Sequence, residues 1–578
     1  MRNKEVADLF NRMGTLLEIK GEIVFKIRAY YKAAETILNL SEDIETLKKE
    51  DRLSEVSGIG KTLQEKIVQY LETGKLEAYE TLIQEIPEGL LEVVGVPSVG
   101  PKKTKLFFEK LNVRDLAGLR EAVEGGKLIG LPGIKEKTIE NIARGIRIVR
   151  QGRERMDLGT ATEIAEKFVR ALKKIPEVRE IAVAGSLRRG CESVRDIDIL
   201  VDSVSPGKIM DVFVHLPEVK SINAHGETKS SVLTRENVQV DLRVVESGSF
   251  GAALLYFTGS KNFNVKLRQI AIKKEMKVNE YGIFSVKGTT EQRLAGETEE
   301  ECLRALGFPY IPPELREDIG AEDIFSGKKI PRLIDLKDIQ GDLHIHSTWS
   351  DGHNTIEEMA RAAIGRGYRY VVISDHSPRL KVARGVSVED LKKKKKEIDA
   401  LNKRLKNFRI LFGTEVEIDT EGNLDYNTAA LSEFDVVIAA IHSGFEETAE
   451  QLTQRLVKAC RSKYVNVLAH PTGVHLGKRE PSPIDLRQVC RAAVDHQVCL
   501  EINAFPVRLD LNSSNAHYAK SQGVKFVINS DAHKIEHLDY IKFGVTIARR
   551  GWLQKEDVLN TLPVEQLLAF VKEKRSRS

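Results

Sequence analysis

Along roughly the first 150 residues, apolar positions return every three to four residues and short Gly or Pro breaks cut the pattern, which predicts helices joined by tight turns. From about 155 to 320 the period is mixed. Helical segments alternate there with the β-branched runs Ile181-Ala182-Val183-Ala184, Ile199-Leu200-Val201 and 238–245, which read as strands, the first two as buried neighbours. After Glu314-Leu315-Arg316-Glu317-Asp318 a polar stretch runs to about Asp338 and has the character of a linker. Beyond it, short apolar runs at 370–373, 435–438, 465–468, 498–502 and 526–529 alternate with helical segments, and this alternation predicts a parallel α/β barrel.

A chain of 578 residues holds several domains, each able to bury a core. The formal charge of +4 gives no global cationic field, so contact with nucleic acid must come from local basic patches. Lys392 to Lys396 form a lysine run inside a helical segment; it reads as a solvated face, with a DNA-facing patch as the second reading. The cysteines Cys191, Cys302, Cys460, Cys490 and Cys499 lack CxxC spacing, which argues against a zinc ribbon or a disulfide framework and fits a reducing cytosol. A charged N-terminus and the lack of any run near about 18 apolar residues predict neither signal peptide nor membrane span, so a cytoplasmic protein is expected.

Candidate chemistry appears first around Gly185-Ser186, Arg188-Arg189-Gly190 and Asp196-Ile197-Asp198. Residues two apart on a strand face the same side, so Asp196 and Asp198 point together, and Asp241 lies on another strand-like run. Adjacent carboxylates stay ionised beside cations, and hard oxygen ligands suit Mg²⁺ or Mn²⁺. Three acids can hold two ions for in-line displacement at phosphorus. In the last part, His344-Ile345-His346 has the spacing of two ligands on one metal. Asp351 follows on the same strand-to-loop segment, and further ligand types appear at the ends of later apolar runs: Asp375-His376, Glu415, His442, His470 and Asp531-Ala532-His533. The C-terminal ends of parallel strands are where barrels build active sites.

The helical region holds three similar breaks, Ser57-Gly58-Ile59-Gly60-Lys61-Thr62, Pro97-Ser98-Val99-Gly100-Pro101-Lys102 and Pro132-Gly133-Ile134-Lys135-Glu136-Lys137. They resemble helix-hairpin-helix repeats, which grip a DNA phosphate with a Gly turn and helix N-terminal amides without reading sequence. The first keeps both glycines of that pattern. Gly60-Lys61-Thr62 also mimics a P-loop, but Glu55 stands where the upstream glycine is required and no strand precedes it, so ATPase chemistry is rejected.

On these residues, 1 to about 320 resembles DNA polymerase family X. The resemblance implies that Gly185, Ser186 and Arg189 take the triphosphate, that Asp196, Asp198 and Asp241 are the catalytic metal ligands, and that Tyr256-Phe257-Thr258-Gly259-Ser260 selects the nucleotide. Asn264 and Arg268 would touch the minor-groove edge and the template strand. It also implies a small N-terminal domain gripping the downstream side of a gap, with Lys26, Gly58, Gly60, Lys66 and Gly100 as DNA contacts. Lys66 falls on the lyase nucleophile of some members, although Thr62 stands where a second lysine is expected; Schiff-base chemistry and a plain phosphate contact both remain open.

Residues of about 339 to 575 resemble the polymerase and histidinol phosphatase domain, a distorted seven-stranded barrel with three metals. The resemblance implies one ion on His344, His346, Glu415 and Asp531, a second on Asp351, His376 and His533, and a third on Glu415, His442 and His470. The mixed ligands suit Mn²⁺ or Zn²⁺ and metal-assisted hydrolysis of a phosphoester. Arg379, Arg384 and His475 are candidate phosphate clamps. The expected organisation is a lyase-like helical domain (1–85), a helix-hairpin-helix region (86–154), an α+β nucleotidyltransferase palm (155–245), a thumb (246–320), a linker (321–338) and the barrel (339–578). The whole implies a monomeric, gap-filling repair polymerase acting on gapped or primed DNA with deoxynucleoside triphosphates, joined to a 3′-5′ exonuclease that also cuts at abasic sites. Two alternatives replace the nuclease by a small-molecule phosphatase or by an inactive, structural barrel.

Overall fold

The computed structural model describes residues 2–38, 40, 42–56, 58–96, 99–287 and 290–577. Ser57, Pro97 and Ser98 of the first two Gly turns lie outside the described residues. The chain forms two compact units, Met1–Glu154 with Gly477–Arg479, and Arg155–Leu476 with Glu480–Ser578.

The first unit is helical. In Asn3–Lys20 the residues Val6, Phe10, Met13 and Leu17 repeat at helical spacing and bury one stripe, and Gly21 ends the helix in the left-handed conformation (φ 87°). Its core joins Phe10, Tyr30, Ile67, Leu90, Phe107 and Leu119. Each glycine-bearing break turns into a helix: Gly60 caps Lys61–Thr73, Gly100 caps Pro101–Leu111, whose proline sits in the first turn, and the third leads into Glu136–Glu154.

The second unit begins with a five-stranded sheet. Asp196–Asp202 is flanked by antiparallel Glu180–Val183 and parallel Gln239–Val245, followed outward by Lys229–Thr234 and Val219–His225. Ile197, Ile199 and Val201 point into the core with Phe168 and Phe213 of the covering helices, so the alternate residues Asp196 and Asp198 stand on the other face. Helices Phe250–Thr258 and Lys261–Lys273 and a small antiparallel sheet of three strands follow.

Seven parallel strands then pair in chain order, from Gly341–Ile345 to Phe526–Asn529. A bridge from Ile345 to Ala532 brings the first and last together, giving a nearly closed barrel. Its strands are buried along both faces, which is why they read as continuous apolar runs.

Within the 321–338 stretch Ala321–Phe325 is helical, Ile324 and Leu333 pack with Trp552, and Ile334 is buried. The lysine run lies on Val388–Arg404, and most of it faces solvent, but Lys394 is 1% exposed. Leu391, Ile398 and Leu401 form the apolar stripe of that helix, and position 394 falls on it. The Lys394 ammonium is held by Asp375 Oδ2 at 2.9 Å and by the carbonyls of Ile373 and Gly413 at 3.1 and 3.2 Å.

Candidate active sites

In the five-stranded sheet, Asp198 is paired in register with Asp241 across parallel strands, and Asp196 lies two residues back on the same face. All three are half-buried. Burial, then the charges of Asp196 and Asp241, push the Asp198 carboxyl up to about 6. Carboxyls crowded in this way fit divalent cations. Gly185 lies against Asp198. It has a left-handed φ of 63°, and a β-carbon there would collide with Asp198 Oδ2, so only glycine fits.

Ser186 is half-buried in the short helix Gly185–Arg188, and both arginines beyond it reach into the segment 258–317. Arg188 makes a two-pronged pair with Glu299 at 2.8 and 2.6 Å, and Arg189 donates to Glu317 at 2.8 Å and to the Thr258 carbonyl. Tyr256 and Phe257 stand edge to face at 5.2 Å, and the Arg243 guanidinium lies 4.3 Å from the Phe257 ring centre. Gly259 follows in the left-handed region (φ 68°). Asn264 donates to the Tyr256 carbonyl at 2.7 Å, and Arg268 lies one turn further along the same helix.

The barrel collects its polar residues at the C-terminal ends of its strands. His344 closes the first strand region with His346, His376 follows Tyr370–Ile373, Glu415 lies in Arg409–Glu417, His442 follows Val436–Ala440, His470 follows Val465–Leu468, and Asp531 and His533 follow Phe526–Asn529. Glu415 is the hub. Its two oxygens lie 2.9 Å from His376 Nδ1, 2.9 Å from His470 Nε2, and 3.3 Å from His442 Nε2 and from His344 Nε2. Three groups bring their ligand atoms within 4.8 Å: His346, Asp351, His376 and His533; His344, His346 and Asp531; and His376, Glu415 and His442. Eight of the nine residues expected from the sequence fall in these groups and His470 joins them through Glu415 at 2.9 Å, with His346 and His376 shared between groups where the resemblance gave each to one ion.

His344 Nε2, His346 Nδ1, Glu415 Oε2 and His470 Nδ1 are buried without a hydrogen-bond partner. Buried orphaned atoms such as His344 Nε2 and Glu415 Oε2, which face each other at 3.3 Å, are what a cluster of cations would satisfy. The charges agree. Burial alone would raise Glu415, but His376, His344 and His442 hold it well below the carboxylate range. Burial alone would lower His442, but Glu415 and Glu417 carry it to about 9, while burial together with His533 and His376 pushes His346 down to about 4.

Sequence reasoning missed the carboxylates behind the histidines. Glu501 Oε1 accepts from His344 Nδ1 at 2.8 Å, and Glu417 Oε2 accepts from His442 Nδ1 at 2.7 Å, which turns each Nε2 toward the centre. The signal existed for Glu417, since Glu415-x-Glu417 on a strand places both on one face. Arg508 was also missed; its Nε lies 3.7 Å from Asp531 Oδ2. Asp375 is drawn away from the cluster by Ser347, Ser350 and Lys394. Of the candidate clamps, Arg379 pairs with Asp419 and Asp425, Arg384 is exposed in a left-handed turn, and His475 is half-buried.

In the helical unit, Gly58 takes a left-handed φ of 92° before the helix that Gly60 caps. Lys66 Nζ donates to the Tyr30 hydroxyl at 2.6 Å, and exposed Lys26 pairs with Glu22 one turn before it.

Four family models match the chain: a helix-hairpin-helix domain at 1–76, a SAM-like helix-hairpin-helix tandem at 90–147, the DNA polymerase beta thumb at 253–317 and the PHP domain at 342–503. Over 574 residues the chain is 40% identical to the DNA polymerase/3′-5′ exonuclease PolX of Bacillus subtilis (strain 168), covering 99% of this chain and 100% of that protein. It is 29% identical over 248 residues to a probable phosphatase of Thermoanaerobacter sp. (strain X514), covering 41% of this chain and 96% of that protein. A probable phosphatase of Acetivibrio thermocellus is likewise 29% identical over 246 residues.

Proposed function

Because the chain belongs to the family of DNA polymerase/3′-5′ exonuclease PolX, we propose that it fills short gaps in DNA at the three acids of the sheet and trims 3′ ends in the barrel. The observation that carries this reading is the separation of two constellations that share no residue: Asp196, Asp198 and Asp241 in one, and the histidines around Glu415 in the other. Mg²⁺ or Mn²⁺ at the acids and Mn²⁺ or Zn²⁺ in the barrel would supply the positive charge that phosphoester chemistry needs.

The protein's own residues divide the remaining work. Asp196, Asp198 and Asp241 would hold the divalent ions between the primer end and the incoming triphosphate, Ser186 and Arg189 contact its phosphates, and Tyr256, Phe257 and Gly259 bear on the sugar. Asn264 and Arg268 sit where the base pair passes. In the barrel, His344, His346, Asp351, His376, Glu415, His442, His470, Asp531 and His533 are the ligands, while Glu417 and Glu501 fix ring orientation. The Gly58 and Gly60 turn anchors a downstream phosphate. We read Lys66 as a phosphate contact, because Tyr30 already engages its amine. Such a protein suits base excision repair, with cutting at abasic sites as a further reaction of the barrel.

A second reading has the barrel hydrolyse small phosphomonoesters, and the likeness to probable phosphatases favours it. One experiment addresses both. A labelled primer on a one-nucleotide gap is followed with and without nucleotides, beside single-stranded DNA and a histidinol-phosphate-like monoester as hydrolysis substrates. Extension that disappears in Asp241→Ala while DNA degradation persists supports the proposal; monoester turnover without DNA degradation supports the second reading.

A further inference from the structure

We infer that Arg550, which belongs to the barrel part of the chain, is a positioning residue for nucleotide addition, acting on the Gly185–Gly190 turn of the sheet. The inference rests on the reading of that turn as the triphosphate site. The helix Ile541–Arg550 lies directly against the turn: Gly190 has a left-handed φ of 67°, and a β-carbon there would collide with Thr546. Arg550 Nη1 donates to the Arg189 carbonyl at 2.9 Å and lies 3.2 Å from Glu317 Oε1, and its Nη2 lies 3.7 Å from Glu192. Glu192, just past the turn, is held in addition by the backbone amide and hydroxyl of Ser513, at 2.9 and 2.7 Å. The backbone on both sides of Gly190 is thereby tied to the barrel part.

The electrostatics give the contact a specific role. The Glu317 oxygen that Arg550 approaches is the one that receives Arg189 Nε at 2.8 Å. Two guanidinium groups share one carboxylate, so Arg189 is incompletely neutralised and keeps positive charge for an incoming phosphate. Arg550 is 7% exposed, so little solvent would replace it. Without it, the Glu317 charge falls wholly on Arg189, and the Arg189 carbonyl loses its donor. Both changes weaken phosphate binding at the turn, and neither touches a ligand of the barrel.

The test uses the full-length protein. In Arg550→Met, KM for the incoming deoxynucleoside triphosphate should rise about tenfold, the equivalent of one charge-assisted hydrogen bond, with kcat little changed. Arg550→Lys should fall between the two, because an ammonium restores charge without the fork. Adding Glu317→Gln to Arg550→Met should bring KM back toward the wild-type value, which a merely structural role would not produce. Degradation of single-stranded DNA should stay at the wild-type rate. An unchanged KM in Arg550→Met, or equal losses of extension and degradation with a lowered melting temperature, would overturn the inference. Asp241→Ala, measured alongside, separates the two levels: if it still extends primers, the assignment of the acids has failed, whereas a dead Asp241→Ala beside a normal Arg550→Met rejects only the role of Arg550.

Discussion

Lys394 and Asp375 form an ion pair of 2.9 Å with 1% and 0% of their side chains exposed. Asp375 also accepts from the Ser347 amide and hydroxyl and from the Ser350 hydroxyl, so the pair fixes the loop that carries Asp351 into the barrel cluster. Burial alone would raise Asp375, and Lys394 above all holds it below its ordinary value. Lys394→Met should leave a buried carboxylate unpaired, at a cost of about 3–5 kcal/mol, and should slow hydrolysis by loosening Asp351. Adding Asp375→Asn should recover stability without recovering rate. Thermal denaturation and nuclease assays on both variants check this, and an unchanged melting temperature in Lys394→Met would refute it.

Asp198 gives a prediction in pH. Its folded carboxyl is raised to about 6 by burial and by Asp196 and Asp241, so the fold is most stable with this acid protonated and loses that contribution as pH climbs through the interval from about 4 to about 6. With chelator present, Asp198→Asn should therefore be more stable than the wild type at neutral pH, by about 3 kcal/mol, and no more stable at pH 4. The same variant should not extend primers. Denaturation midpoints across pH show the effect; a wild type that gains on Asp198→Asn as pH rises would reverse the sign.

The Gly58 turn should make gap binding depend on the downstream phosphate. Its φ of 92° is one that an L-residue adopts at a cost of about 1–2 kcal/mol, so Gly58→Ala should weaken affinity for a gap bearing a 5′-phosphate. Affinity for the same gap without the phosphate should change less, and the difference should shrink with salt. Equal losses on both substrates would remove the anchoring role.

Much of this was legible because the periods were clean. A spacing of two on a strand put Asp196 beside Asp198, and apolar runs marked where His376, His442, His470 and Asp531 would emerge. Partners distant in the chain were not legible. Glu501 lies 157 residues from His344, and Glu317 lies 128 from Arg189, and nothing local in either sequence segment announces the pairing. Lys394 was hidden differently: five identical residues conceal the phase of a helix, although Leu391, Ile398 and Leu401 around them carry it. In the polar 321–338 stretch, the burial of Ile324, Leu333 and Ile334 was not legible from its composition.

In the proposed function, extension and degradation occur in separate sites, with Glu415 in the second. Glu415 lies within 3.3 Å of His344, His376, His442 and His470, so its loss reaches four histidines of the cluster at once. The most direct measurement compares Glu415→Ala with the wild type for metal content, 3′-5′ degradation and extension on a one-nucleotide gap, after the fold is confirmed. Glu415→Ala should lose metal and lose degradation, by about 100-fold or more, with extension intact. Full degradation in folded Glu415→Ala, or loss of both activities together, would contradict the proposed function.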